Sequence, residues 1–309
     1  MRVTVAICTW NRAQLLRQTL ERMTQLSMPP AIEWELLVVN NGCTDDTDAV
    51  LTAYAGRLPM CRLCEPRPGL SNARNRAVQE ATGQYILWTD DDVLVDERWL
   101  AAYCEAFARW PEAALFGGPI TLEFAGSPPV WLRQILPRIA VLYAARDLGS
   151  QPSLLSVAGN RMPFGANFAV RARELRGHRF RPELGRYPNR SGLGCEETEL
   201  LEELLCAGAT GMWVPDAGVR HRVTPERQTI RYLRDQFEAY GEYVARRASR
   251  AGRQPKERPP DLWRMAVAAE FRYRFHRLVA RPERWIEDLA AASEARGQLR
   301  GLTDWHGNA

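Results

Sequence analysis

The chain has 309 residues, 46% of them hydrophobic and 25% charged, with 22 Gly and 20 Pro, a globular balance that excludes collagenous, coiled-coil and disordered chains. Of 41 basic residues only Lys256 is lysine. A P-loop is therefore excluded, because Glu257 and not Ser or Thr follows it, and Schiff-base chemistry is confined to one position in a Pro-rich polar stretch. Charge is uneven: residues 1–219 carry 22 arginines against 25 acids, whereas residues 220–309 carry 19 basic residues against 12 acids.

In chain order, Arg2–Cys8 reads as a strand, and Arg12–Gln25 as a helix with Leu15, Leu16, Leu20 and Met23 at helical spacing. Trp34–Val39 is a buried strand, and Asp45–Ala55 a helix opened by Thr44 as N-cap. Met60–Cys64 (strand), Ser71–Ala81 (helix), Tyr85–Trp88 (strand), Glu97–Trp110 (helix) and Ala114–Leu122 (strand) follow. Such alternation predicts a mainly parallel sheet covered by helices on both faces. Right-handed crossovers then bring the loops after the strands to one sheet edge, where ligands bind.

The middle is less periodic. Gly126–Ser153 has no clear period, Ala166–Val170 reads as a strand with a helix near Arg171–Arg176, and Arg179–Gly194 as a loop. Glu196–Ala207 is helical and Met212–Val214 a short strand. Helices are expected at Gln228–Arg250, Leu262–Val279 and Glu283–Arg300, with a Pro-rich break at Gln254–Pro260.

No apolar run reaches the roughly 18 residues of a membrane-spanning helix. The N-terminus enters a strand within two residues, without a signal-peptide apolar region, so a cytoplasmic protein is expected. The seven scattered cysteines fit reduced thiols. Cys61-x-x-Cys64 has no second pair or nearby His and reads as strand cysteines rather than a zinc site.

Chemistry concentrates at strand ends. Thr89-Asp90-Asp91-Asp92 follows Tyr85–Trp88 directly. Three adjacent carboxylates repel one another unless a cation or a set of donors compensates. One answer is Mg²⁺ or Mn²⁺, held by few carboxylates and completed by a substrate diphosphate; the other is a solvated acidic turn. The segment also resembles the D-x-D strand of haloacid-dehalogenase-like phosphatases, but there the motif usually lies on the first strand and a downstream basic residue, usually Lys, is needed. No G-x-G-x-x-G follows the first strand, which excludes a nicotinamide-cofactor site.

The remaining strand ends are Cys8-Thr9-Trp10-Asn11-Arg12, Val38-Val39-Asn40-Asn41-Gly42-Cys43-Thr44-Asp45-Asp46-Thr47 and Pro68-Gly69-Leu70-Ser71-Asn72-Ala73-Arg74-Asn75. With the acidic triplet, this ordered set resembles the family 2 inverting glycosyltransferases of GT-A fold. The resemblance continues through Gly165-Ala166-Asn167-Phe168-Ala169-Val170-Arg171, Cys195-Glu196-Glu197-Thr198-Glu199-Leu200, and Val214-Pro215 with Val219-Arg220-His221. It covers residues 3–223.

The resemblance implies an α/β chain of GT-A (nucleotide-diphospho-sugar transferase) fold, a mainly parallel sheet flanked by helices. Residues 1–223 would form the catalytic domain (1–122 the nucleotide-sugar half, 123–223 the acceptor half) and residues 224–309 a helical C-terminal region. It implies an inverting, metal-dependent glycosyltransferase of hexosyltransferase type in cell-surface polysaccharide, glycolipid or glycoconjugate biosynthesis. The donor would be a nucleotide-diphosphate sugar, a UDP-sugar foremost, and the acceptor a sugar, lipid-linked or other hydroxyl. Donor contacts carried over are Thr9, Asn11, Arg12, Asn40, Asn41, Arg74, Asp90 and Asp91. Metal ligands for Mn²⁺ or Mg²⁺ are Asp92, Asp90 and His221. The catalytic base is Glu197 or Glu196; Glu stands where the family usually has Asp, which leaves the choice between them open. Both open a helix, where the dipole favours a carboxylate anion. Asn40 replaces a frequent Asp, a change that bears on nucleobase preference. The other functional classes are a sugar-nucleotide-binding protein without transferase activity and a membrane-surface scaffold.

The C-terminal helices interleave Trp263, Phe271, Tyr273, Phe275 and Trp285 with Arg264, Arg272, Arg274, Arg277 and Arg284. Packing against the rest of the protein is one reading, and peripheral contact with an anionic membrane on the cytoplasmic face is the other. No nucleic-acid partner is expected, since the mix follows no known binding module.

Overall fold

Alternation along the first strand decides how the sheet is covered. On β1 (Arg2–Thr9) Val3, Val5 and Ile7 point to one face and Ala6 to the other, and all four are fully buried. A strand apolar on both faces must lie inside a sheet with helices on each side. The computed structural model describes residues 1–27, 29, 31–187, 194–252 and 259–306. Lys256, most of the Pro-rich break and the end of the 179–194 loop lie outside them.

The chain divides into two compact units. The first holds residues 1–123, 144–190 and 194–222. After β1 come α1 (Ala13–Met23), β2 (Glu33–Asn40), α2 (Thr47–Tyr54), β3 (Met60–Cys64), α3 (Leu70–Glu80), β4 (Tyr85–Asp90), β5 (Val93–Val95), α4 (Trp99–Arg109), β6 (Leu115–Gly117) and β7 (Ile120–Phe124). Further on, α5 (Val130–Ile139), β8 (Ser153–Leu154), β9 (Asn167–Arg171), α6 (Glu196–Cys206), β10 (Gly211–Trp213) and β11 (Val219–Val223) complete the sequence to residue 223.

The main sheet has the order β3-β2-β1-β4-β9-β6-β10-β8, and a smaller sheet has the order β5-β11-β7. β3, β2, β1 and β4 are mutually parallel, and β9 runs antiparallel to both β4 and β6. One core lies between the sheet and α1, α2 and α4, with Val5, Leu16, Leu20, Trp99, Tyr103 and Phe116 buried together. The other lies under α3 and α6, around Trp88, Phe168, Ala77, Leu201 and Trp213.

Three local expectations change. The expected strand Ala114–Leu122 is two strands in different sheets, broken at Gly118-Pro119. Proline has no N–H for the ladder, and a Cβ on Gly118 would lie 2.2 Å from the Ala217 carbonyl oxygen. The second helix begins at Thr47 rather than after Thr44. Asp46 rather than Thr44 is its N-cap residue, while Asp45 accepts from the Thr47 N–H at 3.2 Å and, at the start of α1, from the Ala13 N–H at 2.9 Å. The aperiodic 126–153 stretch contains α5, which carries Pro137 inside it.

The second unit contains Phe124–Tyr143, with α5, and the residues from Val223 onward. Its other helices are α7 (Ile230–Arg250), α8 (Pro259–Val279) and α9 (Pro282–His306). A part-buried acid ties α7, α8 and α9 together. Glu270 accepts from Arg234 and Arg296 at 2.8 Å and from Arg274 at 3.1 Å. Burial opposes ionisation of Glu270, but the three arginines outweigh it and hold the carboxyl down at about 2.

Candidate active site

Parallel register brings the strand ends side by side. Thr9 lies opposite Asn40, Asn40 opposite Cys64, and Cys8 opposite Asp90. The segments after β1, β2 and β4 therefore share one sheet edge, the usual ligand edge of an open α/β sheet.

Around the acidic triplet the chain supplies its own cation. Arg12 Nη1 donates to Asp91 Oδ1 at 3.0 Å and to Asp92 Oδ2 at 3.1 Å. Asp91 also accepts from the Thr9 hydroxyl at 2.7 Å, and its carbonyl accepts from Thr19 at 2.9 Å. Burial pushes Asp91 up to about 6, with Arg12 pulling the other way. Asp92 is buried, and its Oδ1 lies 3.3 Å from His221 Nε2. His221 arrives from the smaller sheet, where it pairs with Val93, the residue after Asp92. Asp90 is the exposed member, its side chain 34% accessible. Among the described residues no three His, Cys, Asp or Glu side chains gather as a metal centre.

Arg74 joins this edge to the start of α6. It is buried, with Nη2 3.8 Å from Asp90 and Nε 3.5 Å from Glu196, and it donates to the Gly165 carbonyl at 3.3 Å. Its guanidinium sits 5.6 Å from the Trp88 ring and 5.4 Å from those of Phe168 and Phe180, positions that favour a cation over aromatic faces. Glu197 Oε1 accepts from the Gly165 N–H at 3.1 Å. A Cβ on Gly165 would lie 2.7 Å from Arg74 Nη2 and 3.1 Å from Glu197, so a larger residue there would make these side chains shift.

The other expected donor residues are held as follows. Asn11, with φ +50°, accepts through Oδ1 from the Thr44 N–H at 2.7 Å. Asn40 accepts from the Cys43 N–H at 2.8 Å and donates to Asp48 at 2.9 Å. Asn41 donates to the carbonyls of Glu65 and Arg67 at 2.8 and 2.7 Å and accepts from the Gly69 N–H at 2.9 Å, which pins the loop before α3. Two structural residues were not singled out from sequence. Gly165 is one. Asn167 is the other: its Oδ1 accepts from Trp99 and Tyr103 at 2.9 Å, and its Nδ2 donates to Ala217 at 2.7 Å and Pro119 at 3.1 Å. Both stood inside the G-A-N segment, but only the fold shows what they touch.

Glu196 corrects an expectation. The helix N-terminus was expected to keep both glutamates anionic. Instead burial, and after it the charge of Glu197, push Glu196 up to about 7 despite Arg74. A carboxyl raised from its ordinary 4.5 destabilises the fold as pH climbs from that value towards about 7. Glu196→Gln, which mimics the protonated form, is expected to match wild type near the lower value and to exceed it above neutrality by up to about 3 kcal/mol. Thermal melts across that range check this; a difference independent of pH would contradict it.

The sheet order and the acidic end of β4 define the class: a GT-A-type nucleotide-sugar transferase fold. The model of the family described as "Glycosyl transferase family 2" matches residues 4–157. The succinoglycan biosynthesis protein ExoM of Rhizobium meliloti is 26% identical over 238 residues, 75% of this chain and 71% of ExoM. Among solved structures, the mannosyltransferase PcManGT from Pyrobaculum calidifontis, in complex with GDP-Man and Mn²⁺, superposes with a TM-score of 0.63 at 18% identity, covering 98% of this chain and 87% of that one. S. aureus TarS matches with a TM-score of 0.55 at 15% identity, covering 81% of this chain and 44% of that one. The chain belongs to glycosyltransferase family 2, and it is a glycosyltransferase.

Proposed function

We propose that this enzyme moves a sugar from a nucleotide-diphosphate sugar, a UDP-sugar foremost, to an acceptor hydroxyl, with inversion, in the biosynthesis of a polysaccharide or related glycoconjugate. ExoM is named for succinoglycan biosynthesis, and a further relative, of Staphylococcus epidermidis, is a poly-beta-1,6-N-acetyl-D-glucosamine synthase. TarS 1-349 has been solved with UDP and with UDP-GlcNAc. Arg74 carries the assignment, because it ties Asp90 at the donor edge to the carboxylate pair opening α6.

In this reading the acceptor oxygen attacks the anomeric carbon as the bond to the diphosphate oxygen breaks on the opposite face. The diphosphate leaves with the bonding electrons, and Glu197 takes the acceptor proton. Glu197 is preferred to Glu196 because its Oε1 is held by a backbone donor at 3.1 Å, whereas Glu196 lies under Arg74 and favours its neutral form. Asn11, Asn40 and Asp90 contact the nucleoside and ribose. Thr9, Asn41 and Asp91, whose side chains are engaged within the protein, shape that surface. Arg12 and Arg74 place positive charge beside the diphosphate.

The residues also fit a divalent ion. Asp92 and His221, with Oδ1 and Nε2 3.3 Å apart, would be the residues that hold it. Bound there, Mn²⁺ or Mg²⁺ supplies Lewis-acid neutralisation of the leaving group.

A thermal-shift panel of nucleoside diphosphates and nucleotide-sugars, with and without Mn²⁺, tests this. A matching ligand at 100 times its Kd is expected to stabilise by about 2.7 kcal/mol. Asp92→Asn is expected to lose the Mn²⁺-dependent part while keeping the fold. If no nucleotide stabilises the wild type, the donor assignment fails; if the mutant responds to Mn²⁺ as wild type does, the ligand assignment fails.

A further inference from the structure

α8 is apolar on both sides, and only one side is covered. Leu262, Ala266, Ala269 and Tyr273 are buried. At about 100° per residue, Trp263, Val267, Phe271, Phe275 and Leu278 fall together on the other side. All five are exposed, Phe271 by 76% and Leu278 by 85%. An exposed apolar stripe of this kind, interrupted here only by Arg264 and Arg274, marks an interaction surface on a folded chain.

We infer that this outer face of α8 docks on an anionic lipid bilayer, with the helix lying in the plane of the headgroups. Charge selects the occupant. Between Pro259 and Arg284 six arginines stand against three acids. Arg264 and Arg274 stand within the apolar stripe with side chains 78% and 76% accessible, each ion-paired on its own helix, to Asp261 at 3.8 Å and to Glu270 at 3.1 Å. The acid nearest the middle of the helix, Glu270, is already shared by three arginines. Anionic headgroups supply the opposite charge, while the aromatic side chains enter the acyl boundary. A second copy docked about a two-fold axis would set the same patch against itself and oppose arginine to arginine. No helix among the described residues is long and apolar enough to cross a membrane, so the contact is one of lying on the bilayer.

The test is co-sedimentation of the full chain with vesicles of phosphatidylcholine alone and of phosphatidylcholine mixed with phosphatidylglycerol. Binding is expected only to the mixed vesicles and is expected to weaken with salt. The exposed-site variant F271S/F275S/L278S is expected to bind at least about tenfold more weakly, with unchanged circular dichroism and an unchanged nucleotide thermal shift. Absence of vesicle binding by folded wild type overturns the inference, as does undiminished binding by the variant. A wild-type dimer that the variant dissolves, without vesicle binding, assigns the face to a second copy.

Discussion

Replacing Glu197 by Gln is expected to lower kcat about 10²–10⁴-fold and to leave donor binding close to wild type. Gln keeps an oxygen for the Gly165 N–H, which now sits 3.1 Å from Glu197 Oε1, and loses only the ability to take a proton. Initial rates with a competent donor and acceptor, set beside donor binding measured separately, check this. Glu196→Gln is expected to retain most of the turnover, because Glu196 is buried under Arg74 and its carboxyl is pushed up to about 7. The reverse pattern, with Glu196→Gln inactive and Glu197→Gln active, would move the base to Glu196.

Arg74→Met is expected to destabilise the fold by about 3–5 kcal/mol. Arg74 is the cation facing Glu196 at 3.5 Å and Asp90 at 3.8 Å, and it is buried among three aromatic rings. Methionine fills much of the volume but leaves the buried Glu196 and the half-exposed Asp90 without that cation. The direction with pH follows from the chemistry. Without Arg74 the buried glutamate is protonated still more readily, so the loss is greatest at alkaline pH and shrinks as the pH falls through the range where Glu196 takes up its proton. Adding Glu196→Gln is expected to recover part of the loss, since one of the stranded charges is then gone. Denaturant titrations of the two single variants and the double variant measure this. An Arg74→Met protein as stable as wild type at alkaline pH would show that the cluster is not held by that charge.

Much of the first unit was legible in the sequence because its signals are local. Apolar runs at strand length and apolar residues at helical spacing mark β1 through α4 to within a few residues, except for the three-residue β5, which was not read from the sequence. The parallel arrangement follows from their alternation, since a helix between two strands returns the chain to the same end of the sheet. The motif residues Thr9, Asn40 and Asp90 could be placed on one edge for that reason, and the register does so. The split between β6 and β7 was less legible. Gly118-Pro119 is visible as a breaker, but that the chain leaves one sheet for another depends on Asn167 and Ala217, about 50 and 100 residues further on. The membrane-or-core question for the aromatic C-terminal residues also lay beyond sequence. Tyr273 and Trp285 are buried, while Trp263, Phe271 and Phe275 on the same stretch are exposed.

The sequence by itself determined the α/β class, the family resemblance and the scarcity of lysine, which leaves arginine as the cation for any buried carboxylate. Those properties reside in residue identity and short-range periodicity, which need no partner to be read. Only the tertiary structure decided which arginine meets which acid: Arg12 on Asp91 and Asp92, Arg74 between Asp90 and Glu196. It also decided that two adjacent glutamates differ in environment, one held by a backbone donor and the other buried and raised to about 7. Charge state in a protein depends on burial and on neighbours remote in the chain, and neither is written in the local sequence.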